Sequence, residues 1–367
     1  MRSKEARRVI LNCNFEQWFE KHNSPHSNFL YILGCGFDKR MCEGITRIRK
    51  VVEQFDVWLI SYNEGDASPS KQYFDQKIQN DRQLYQAVNG LNVQNKDLVF
   101  WKQNSSTIDE ENHSRFVGEV NACKIIKAAE DELKVYTDII VDISALPQTI
   151  YLCIINTLFK CCPSPEQKIY IVTTENYSTD MHIKPVQADE TAHEIQGFSS
   201  PSDDLNRVVI WFPILGENNM PYLDKYYNFL KSHSKEVDEI CPVVPFPSEN
   251  VRRADDVLYQ YSKRLFDDWS VDKKNIMYAS ETNPLLLCKN LYEASINYKE
   301  ALTPLGETKF VFSAITSKLM TVGMLLAAFD LKSTGYSVSV LGVNNKGYHI
   351  DEKAPVTPQD NLVCLAV

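Results

Sequence analysis

The sequence predicts an α/β protein with two similar units, each a parallel β-sheet covered by helices on both faces. Each half contains five short apolar runs that end in polar loops, with helical patterns between them. Runs that are apolar throughout are typical of parallel strands buried on both faces. The two series follow the same order, and Ile-Ser-Ala-Leu at 143–146 matches Phe-Ser-Ala-Ile at 312–315. We therefore expect two tandem Rossmann-like, doubly wound units related by internal duplication.

The apolar runs themselves are the predicted strands. In the first half they occupy 30–34, 57–60, 98–101, 138–142 and 168–172, and in the second half 208–212, 240–244, 275–278, 309–312 and 336–341.

Amphipathic segments between the runs predict helices, because their apolar residues recur at helical spacing. They occupy 15–21, 45–52, part of 66–95, 116–133, 148–159, 221–231, 255–266, 284–298 and 317–332. The last segment has almost no polar face. We expect it to be buried between the sheet and the other half, or against a second copy of the protein.

The length of 367 residues predicts two domains of ordinary size. We place an N-terminal extension at 1–28, the first Rossmann-like unit at 29–176 and the second at 207–367. The segment 177–206, which is rich in Ser, Pro and Asp near its end, is predicted to be a linker or a lid.

Composition excludes several classes of protein. A net charge of −9 argues against a nucleic-acid duplex as the main partner, because binding to phosphate backbones needs a basic surface. No apolar stretch reaches the roughly 20 residues of a membrane span, so we expect no membrane partner. The ten cysteines contain no CxxC pair, which predicts reduced core residues, no structural metal and a cytoplasmic location.

Ligands of open parallel sheets bind at the carboxyl ends of the strands, so the loops there supply the candidate site residues. After the first strand, Gly34 and Gly36 allow a close backbone approach, and Arg40 is placed to grip a phosphate or carboxylate. The loop lacks the Gly-Lys-Ser/Thr ending of a Walker motif and the third glycine of a dinucleotide fingerprint. Its alternative interpretation is a tight strand-to-helix turn with a surface arginine.

Two hydroxyl-rich loops occupy matching positions in the two halves. In the first half Asp142 ends a strand and Ser144 follows it, either as a ligand contact or as a helix N-cap. In the second half Ser313, Ser317 and Lys318 lead into the most apolar helix. A lysine on such a helix indicates a charge partner or an anionic ligand.

Two further loops of the second half carry charged or amide side chains. Arg252 and Arg253 are suited to clamp a phosphate, or alternatively to pair with nearby acids such as Asp255. Glu281 is a candidate general base, and Asn283 a candidate ligand contact; the alternative for this loop is capping of the next helix.

The loops Asp-Ile-Ser-Ala-Leu-Pro-Gln-Thr at 142–149 and Ser-Ala-Ile-Thr-Ser-Lys at 313–318 resemble those of CRISPR-associated Rossmann-like (CARF) sensor domains. This resemblance implies a cyclic oligonucleotide ligand, a cleft between two related units and a role in defence. The chain differs in lacking a Thr-Gly-Gly-Thr-Lys loop, and only Lys318 falls near the expected lysine.

Three functions remain open from the sequence. The first is binding of a nucleotide or another phosphorylated small molecule in a cleft between the halves, as in a sensor. The second is a nucleotide-processing hydrolase or transferase, in which Asp38, Asp142 or Glu281 acts as acid or base with Mg²⁺ as cofactor. The third is an interaction protein with a vestigial pocket, assembled as a homo-oligomer or with a protein partner through its apolar helix.

Overall fold

The computed structural model describes residues 7–63, 68–100, 117–162, 164, 166–180, 182–189, 191–199, 207–233, 237–350 and 360–367. The chain divides into two compact units. Unit 1 contains Met1–Gln187 together with Asn345–Val367, and unit 2 contains Ala188–Asn344.

The strands of the described residues are numbered along the chain. They are β1 Arg8–Leu11, β2 Phe29–Cys35, β3 Asp56–Asn63, β4 Asn92–Val99, β5 Asp138–Asp142, β6 Lys168–Glu175, β7 Ile183–Ala188, β8 His193–Glu194, β9 Val208–Ile214, β10 Glu239–Ile240, β11 Val243–Pro245, β12 Met277–Ala279, β13 Thr308–Ala314, β14 Ser337–Gly342, β15 Asn345–Ile350 and β16 Asn361–Ala366.

The α-helices are numbered in the same way. They are α1 Phe15–His22, α2 Glu43–Ile48, α3 Phe74–Ala87, α4 Gly118–Ala128, α5 Glu130–Leu133, α6 Gln148–Cys161, α7 Tyr177–Asp180, α8 Met220–His233, α9 Arg253–Ser262, α10 Pro284–Leu302 and α11 Lys318–Ser333. A π-helical turn, Lys263–Asp268, extends α9.

Unit 1 is built on a seven-stranded sheet in the order β1-β16-β6-β5-β2-β3-β4. The five strands from β6 to β4 run parallel; in the centre, Leu33 of β2 lies opposite Leu59 of β3 and Asp142 of β5. Every residue of β2 and β5 is buried. This burial on both faces explains why these strands have no polar alternation.

Unit 2 repeats the arrangement in the order β12-β11-β9-β13-β14-β8. Strands β9 to β14 run parallel, and Phe310 of β13 lies between Ile210 of β9 and Val338 of β14. The short strand β8 closes the edge antiparallel to β14.

The parallel strands of both sheets follow the order 3-2-1-4-5 counted along the chain, which is the order of a Rossmann-type sheet. The predicted fold class, α/β with two doubly wound units, is therefore confirmed. Descent of the two halves by internal duplication stays a prediction.

The ends of unit 1 differ from the predicted boundaries. We predicted a second unit at 207–367, but Asn345–Val367 belong to unit 1. The reason is that β16 pairs antiparallel with β6 of unit 1. Part of the predicted extension 1–28 belongs to the same sheet, since β1 pairs with β16. Phe15 and Phe19 of α1 are fully buried in the core of unit 1.

The predicted linker 177–206 contains regular structure where the structure describes it. Strand β7 pairs with β15, and β8 joins the sheet of unit 2, so the division between the units falls after Gln187. Residues 200–206, which carry the end of the Ser- and Pro-rich stretch, lie outside the described residues.

The apolar helix α11 is buried as predicted, but by its own unit. Twelve of its residues are buried, and it contacts α10, β13 and β14. A Cβ on Gly323 would lie 2.5 Å from the carbonyl oxygen of Pro284, so the glycine brings α11 close to the start of α10. The predicted burial against the other half or a second copy is therefore not needed. No helix among the described residues is both long and apolar enough to span a bilayer.

Candidate functional site

The candidate loops lie where the strand order reverses. This switch point falls between β2 and β5 in unit 1 and between β9 and β13 in unit 2. Loops leave the carboxyl ends of the two strands in opposite directions there, which usually opens a crevice for a ligand.

In unit 1 this crevice is filled by protein atoms. A Cβ on Gly34 would lie 2.5 Å from Cδ2 of Leu146, and one on Gly36 would lie 2.8 Å from Oη of Tyr62. Tyr62 also donates a 2.9 Å hydrogen bond to the carbonyl oxygen of Ala145. The two glycines therefore admit neighbouring side chains rather than a phosphate, and the tight-turn interpretation describes this loop better.

Arg40 is buried between two carboxylates. Its side chain is 3% exposed, its Nη2 lies 2.6 Å from Oδ2 of Asp38, and its Nη1 lies 2.8 Å from Oδ1 of Asp180. Burial alone would lower the pKa of this guanidinium, but the attraction of Asp38 and Asp180 outweighs it and raises the pKa above its usual value. With both carboxylates ionised the cluster has a net charge of −1. The structure thus supports neither a phosphate-gripping Arg40 nor an acid–base role for Asp38.

Asp142 and Ser144 are buried and hold the strand ends of unit 1 together. The carboxylate of Asp142 accepts hydrogen bonds from the hydroxyl of Tyr31, at 2.7 Å, and from the amide of Ser144, at 2.9 Å. Burial, with the Asp142 charge, raises the pKa of Tyr31 well above its usual value. Ser144 Oγ accepts the amide N–H of Thr174 on β6. Ser144 is therefore neither the predicted ligand contact nor a helix cap, and Asp142, 1% exposed, is not presented for catalysis.

In unit 2 Arg253 is held in the same way. Its Nε and Nη2 donate to the two oxygens of Glu217, at 2.6 and 2.9 Å, and it forms an ion pair with Glu281. The contacts join the loops after β9 and β12 to the start of α9. Pairing with acids, the alternative for Arg253, is therefore the better description of it, although the acids are Glu217 and Glu281. The phosphate contact of Arg253 and the general-base role of Glu281 stay predictions.

We call the two arrangements the arginine clamps: Asp38–Arg40–Asp180 in unit 1 and Glu217–Arg253–Glu281 in unit 2. A buried arginine needs a carboxylate partner, and here each arginine has two. Both clamps lie at carboxyl ends of strands, so they stabilise loops at the edge where a ligand was expected.

Arg252 and Asn283, two further predicted site residues of unit 2, are not members of its arginine clamp. Arg252 is exposed, and its side chain makes no ion pair with any residue that the structure describes. Asn283 is the N-cap of α10, because its Oδ1 accepts the amide N–H of Leu286 at 3.2 Å. The capping alternative for Asn283 is therefore the better description.

The start of α11 is a further part of the predicted site that is not fully buried. Ser317 is its N-cap, with Oγ accepting the amide N–H of Met320 at 3.4 Å, and Lys318 is its first residue; both side chains are partly buried. Ser313 instead is 1% exposed and accepts a 3.0 Å hydrogen bond from the indole N–H of Trp211. The structure therefore leaves Ser317 and Lys318, but not Ser313, within reach of a ligand.

Backbone contacts bring the loop after β9 against this helix start. A Cβ on Gly216 would lie 2.5 Å from the carbonyl oxygen of Ile315, so only glycine fits. Asn219 Nδ2 donates to the same oxygen at 3.2 Å, and Tyr261 donates to the carbonyl oxygen of Gly216 at 2.7 Å. At the switch point of unit 2, the loop after β9 is thus packed closely against the backbone that precedes the N-terminus of α11.

Sequence reasoning missed several residues that shape these edges. Asp180 and Glu217 complete the clamps, Tyr31 and Tyr62 tie the loops of unit 1, and Asn219 ties those of unit 2. The arginines were the available signal, because each buried arginine requires an acid. The sequence does not say which of many acids is near, since these partners are separated by up to 140 residues.

We also searched the described side chains for a possible metal-binding cluster. Among the described residues, no group of three His, Cys, Asp or Glu side chains is arranged to hold a metal ion. The cleft predicted between the two halves stays a prediction.

The sequence matches no protein-family model and no curated protein. Among solved structures it is similar to the cytoplasmic domain of a prokaryotic cation chloride cotransporter, at 12% identity and a TM-score of 0.23, covering 87% of this chain and 96% of that one. A putative UDP-N-acetylglucosamine 2-epimerase from Listeria monocytogenes has 11% identity and a TM-score of 0.23, covering 80% and 75%. A hexameric APS kinase from Thiobacillus denitrificans has 8% identity and a TM-score of 0.20, covering 89% and 70%. Similarities this low carry no inference about this chain.

Proposed function

We propose that the protein binds a nucleotide or another phosphorylated small molecule at the carboxyl edge of unit 2, where α11 begins. The observation that carries the proposal is the placement of Ser317 and Lys318 at the N-terminus of a 16-residue helix, at the switch point of a Rossmann-type sheet. The positive end of the helix dipole favours an anion there, and Lys318 adds a full charge. Exposed Arg252 supplies a second cation at this edge.

The proposed role is sensing rather than turnover. Each of the three candidate acids has structural partners: Asp38 and Glu281 lie in the arginine clamps, and Asp142 is buried against Tyr31. A general acid or base must reach the reacting atoms, and these contacts hold the carboxylates away from that use. The hydrolase or transferase with Mg²⁺ is therefore the weaker alternative.

The CARF-like interpretation belongs to the same proposal. Two units with the same strand order support the expected plan of paired Rossmann units, and the 313–318 loop provides the lysine. Cyclic oligonucleotides are accordingly the first ligands to test. A defence role follows only if one of them binds.

The third function, an interaction protein that assembles through its apolar helix, is less well supported than ligand binding. Helix α11 was the expected assembly surface, and α10 with β13 and β14 covers it inside unit 2. All ten cysteines are unpaired and nine of them are buried, which supports the proposed cytoplasmic, reducing location.

A thermal-shift panel of mononucleotides, cyclic oligonucleotides and sugar phosphates, with and without Mg²⁺, tests the proposal. We expect at least one to stabilise the full chain, because a ligand at a hundredfold its Kd adds about 2.7 kcal/mol. Lys318→Met and Arg252→Glu should each weaken binding about tenfold or more, since bonds to charged groups contribute about 1.5–3 kcal/mol.

The matched controls are Lys289→Met, on the exposed face of α10, and Lys274→Glu, before β12 at the opposite edge of the sheet. Both should leave the shift unchanged. An inert panel, or an equal shift in Lys318→Met and Lys289→Met, would count against the site. Product analysis of any hit separates sensing from turnover.

A further inference from the structure

Two aromatic side chains are half-exposed on the β11–β12 side of unit 2. Phe246 directly follows β11, and Tyr278 is the middle residue of β12, the outermost strand on that side of the described sheet. Phe246 is 49% exposed and Tyr278 is 50% exposed. Their ring centroids are 6.1 Å apart and their planes meet at 79°, so the rings pack edge to face. The pair presents flat aromatic surface to solvent.

The backbone that carries the two rings is held by hydrogen bonds. The amide N–H of Phe246 donates to the carbonyl oxygen of Ala279 at 2.8 Å, and that of Glu281 donates to the carbonyl oxygen of Pro247 at 3.1 Å. The ion pair of Arg253 with Glu281 joins the same two loops. A ligand that stacked on the rings would therefore not have to order these loops first.

The aromatic pair belongs to the same edge of the sheet as the anion site proposed above. Phe246 and Arg252 are the two ends of the loop 246–252, which connects β11 to α9. The strand order places β11 two strands from β13, a separation of about 10 Å at roughly 4.8 Å per strand. A nucleotide whose phosphate lies at the start of α11 is long enough to bring its base to the end of β11.

The exposed area favours a small flat group over a protein partner. A fully covered aromatic side chain buries about 150–250 Å², so two half-exposed rings together offer about 150–250 Å². A stable protein interface needs about 800 Å² on each partner. A nucleobase matches the smaller area, and its flat π-face stacks well on aromatic side chains.

A nucleotide also matches the charges of this edge. Arg252 is exposed on the same loop as Phe246, and Lys318 lies at the start of α11. A sugar phosphate would use these cations but leave the rings in water, whereas an uncharged aromatic ligand would use only the rings. A nucleotide or a cyclic oligonucleotide carries both an anion and a flat aromatic face.

We propose that Phe246 and Tyr278 form the surface on which the base of the ligand stacks, so that this site takes nucleotides, single or cyclic, rather than sugar phosphates. The inference rests on the proposed function, because it takes the phosphate to bind at the start of α11. Since every base has a π-face, the rings select for the presence of a base and not for its identity.

Calorimetric titration of the full chain with AMP, GMP, UMP and ribose 5-phosphate tests the inference, because only the first three carry a base. We expect each nucleotide to bind about tenfold or more tightly than ribose 5-phosphate. Phe246→Leu and Tyr278→Leu each keep an apolar side chain and remove the ring. Each should raise the Kd of the nucleotides about tenfold and leave that of ribose 5-phosphate unchanged.

The matched control is Tyr259→Leu, because Tyr259 is 83% exposed on α9, outside the loops after β11 and β12. This substitution should change none of the four Kd values. Thermal unfolding of each variant establishes that it is folded. Proton NMR adds a readout specific to stacking: the rings should shift the AMP base protons upfield, and Phe246→Leu should reduce that shift.

Equal binding of the nucleotides and ribose 5-phosphate would overturn this inference, while the proposed function would stand if Lys318→Met weakened the binding of all four. Tighter binding of the nucleotides that neither ring substitution changes would place the base elsewhere and overturn the inference as well. If none of the four compounds bound, the inference would fall, and the thermal-shift panel would decide separately whether the proposed function stands.

Discussion

Arg252 and Arg253 are adjacent in sequence and have opposite environments. Arg253 is 5% exposed and lies between Glu217 and Glu281, whereas Arg252 is exposed and makes no ion pair with a described residue. The difference follows from the start of α9, where Arg253 is the first helical residue and Arg252 its cap. One arginine therefore stabilises the loops and the other is available to a ligand.

Arg253→Met is expected to lower the free energy of unfolding of unit 2 by about 3–5 kcal/mol, because removing one partner of a buried pair leaves uncompensated charge. Native-state hydrogen exchange of the β9 and β13 amides measures this loss. Arg252→Met is the neighbouring control and should stay within about 0.5 kcal/mol. Equal effects of the two substitutions would show that the clamp of unit 2 does not stabilise it.

The roles of single residues were the least predictable part of the site. The sequence placed Gly34, Arg40, Arg253 and Lys318 correctly at strand ends or helix starts, since strand and helix periodicity is local. It could not show that Arg40 meets Asp180, because that contact depends on the return of β6 to the sheet.

At the scale of elements, the central strands were predictable and the edge strands less so. Strand β4 begins at Asn92 rather than 98, because as an edge strand it exposes polar side chains, and its residues 92–97 contain no apolar run. The predicted strand 240–244 is divided into β10 and β11 around Pro242, which has no amide hydrogen for the sheet. Strands β2 and β9 are buried on both faces, so their sequences are apolar throughout and predict strands clearly.

Helices α10 and α11 show how one glycine sets the distance between elements. A Cβ on Gly323 would lie 2.5 Å from the backbone oxygen of Pro284 and 3.2 Å from Cβ of Leu287. Backbone atoms cannot move aside as a flexible side chain does, so the two helices would have to separate.

Gly323→Ala should therefore destabilise unit 2 by about 1–3 kcal/mol through overpacking. Intrinsic helix propensity alone predicts the opposite sign, a gain of about 0.8–1.0 kcal/mol. Thermal unfolding of the full chain decides between them. A more stable variant would mean that the close approach of α10 and α11 is not needed.

At the scale of the whole molecule, both sheets have the same parallel strand order while the chain path between the units is more complex than predicted. The sequence showed two series of five strands, and this repetition made the fold class accessible. It did not show that 361–366 returns to unit 1, because antiparallel pairing of β16 with β6 is a long-range contact. Consecutive strands usually lie side by side, but β15 pairs with β7, whereas the next strand, β16, pairs with β6 and β1.

The central claim is that the carboxyl edge of unit 2 holds a phosphorylated ligand at the start of α11. Hydrogen–deuterium exchange of the full chain, with and without the nucleotide or cyclic oligonucleotide that stabilises it most, tests this claim directly. We predict slower exchange in the first turn of α11 and in the neighbouring loop 215–219, and no such protection in Lys318→Met. Protection confined to the loops of unit 1, or none at α11 under saturating ligand, would contradict the account.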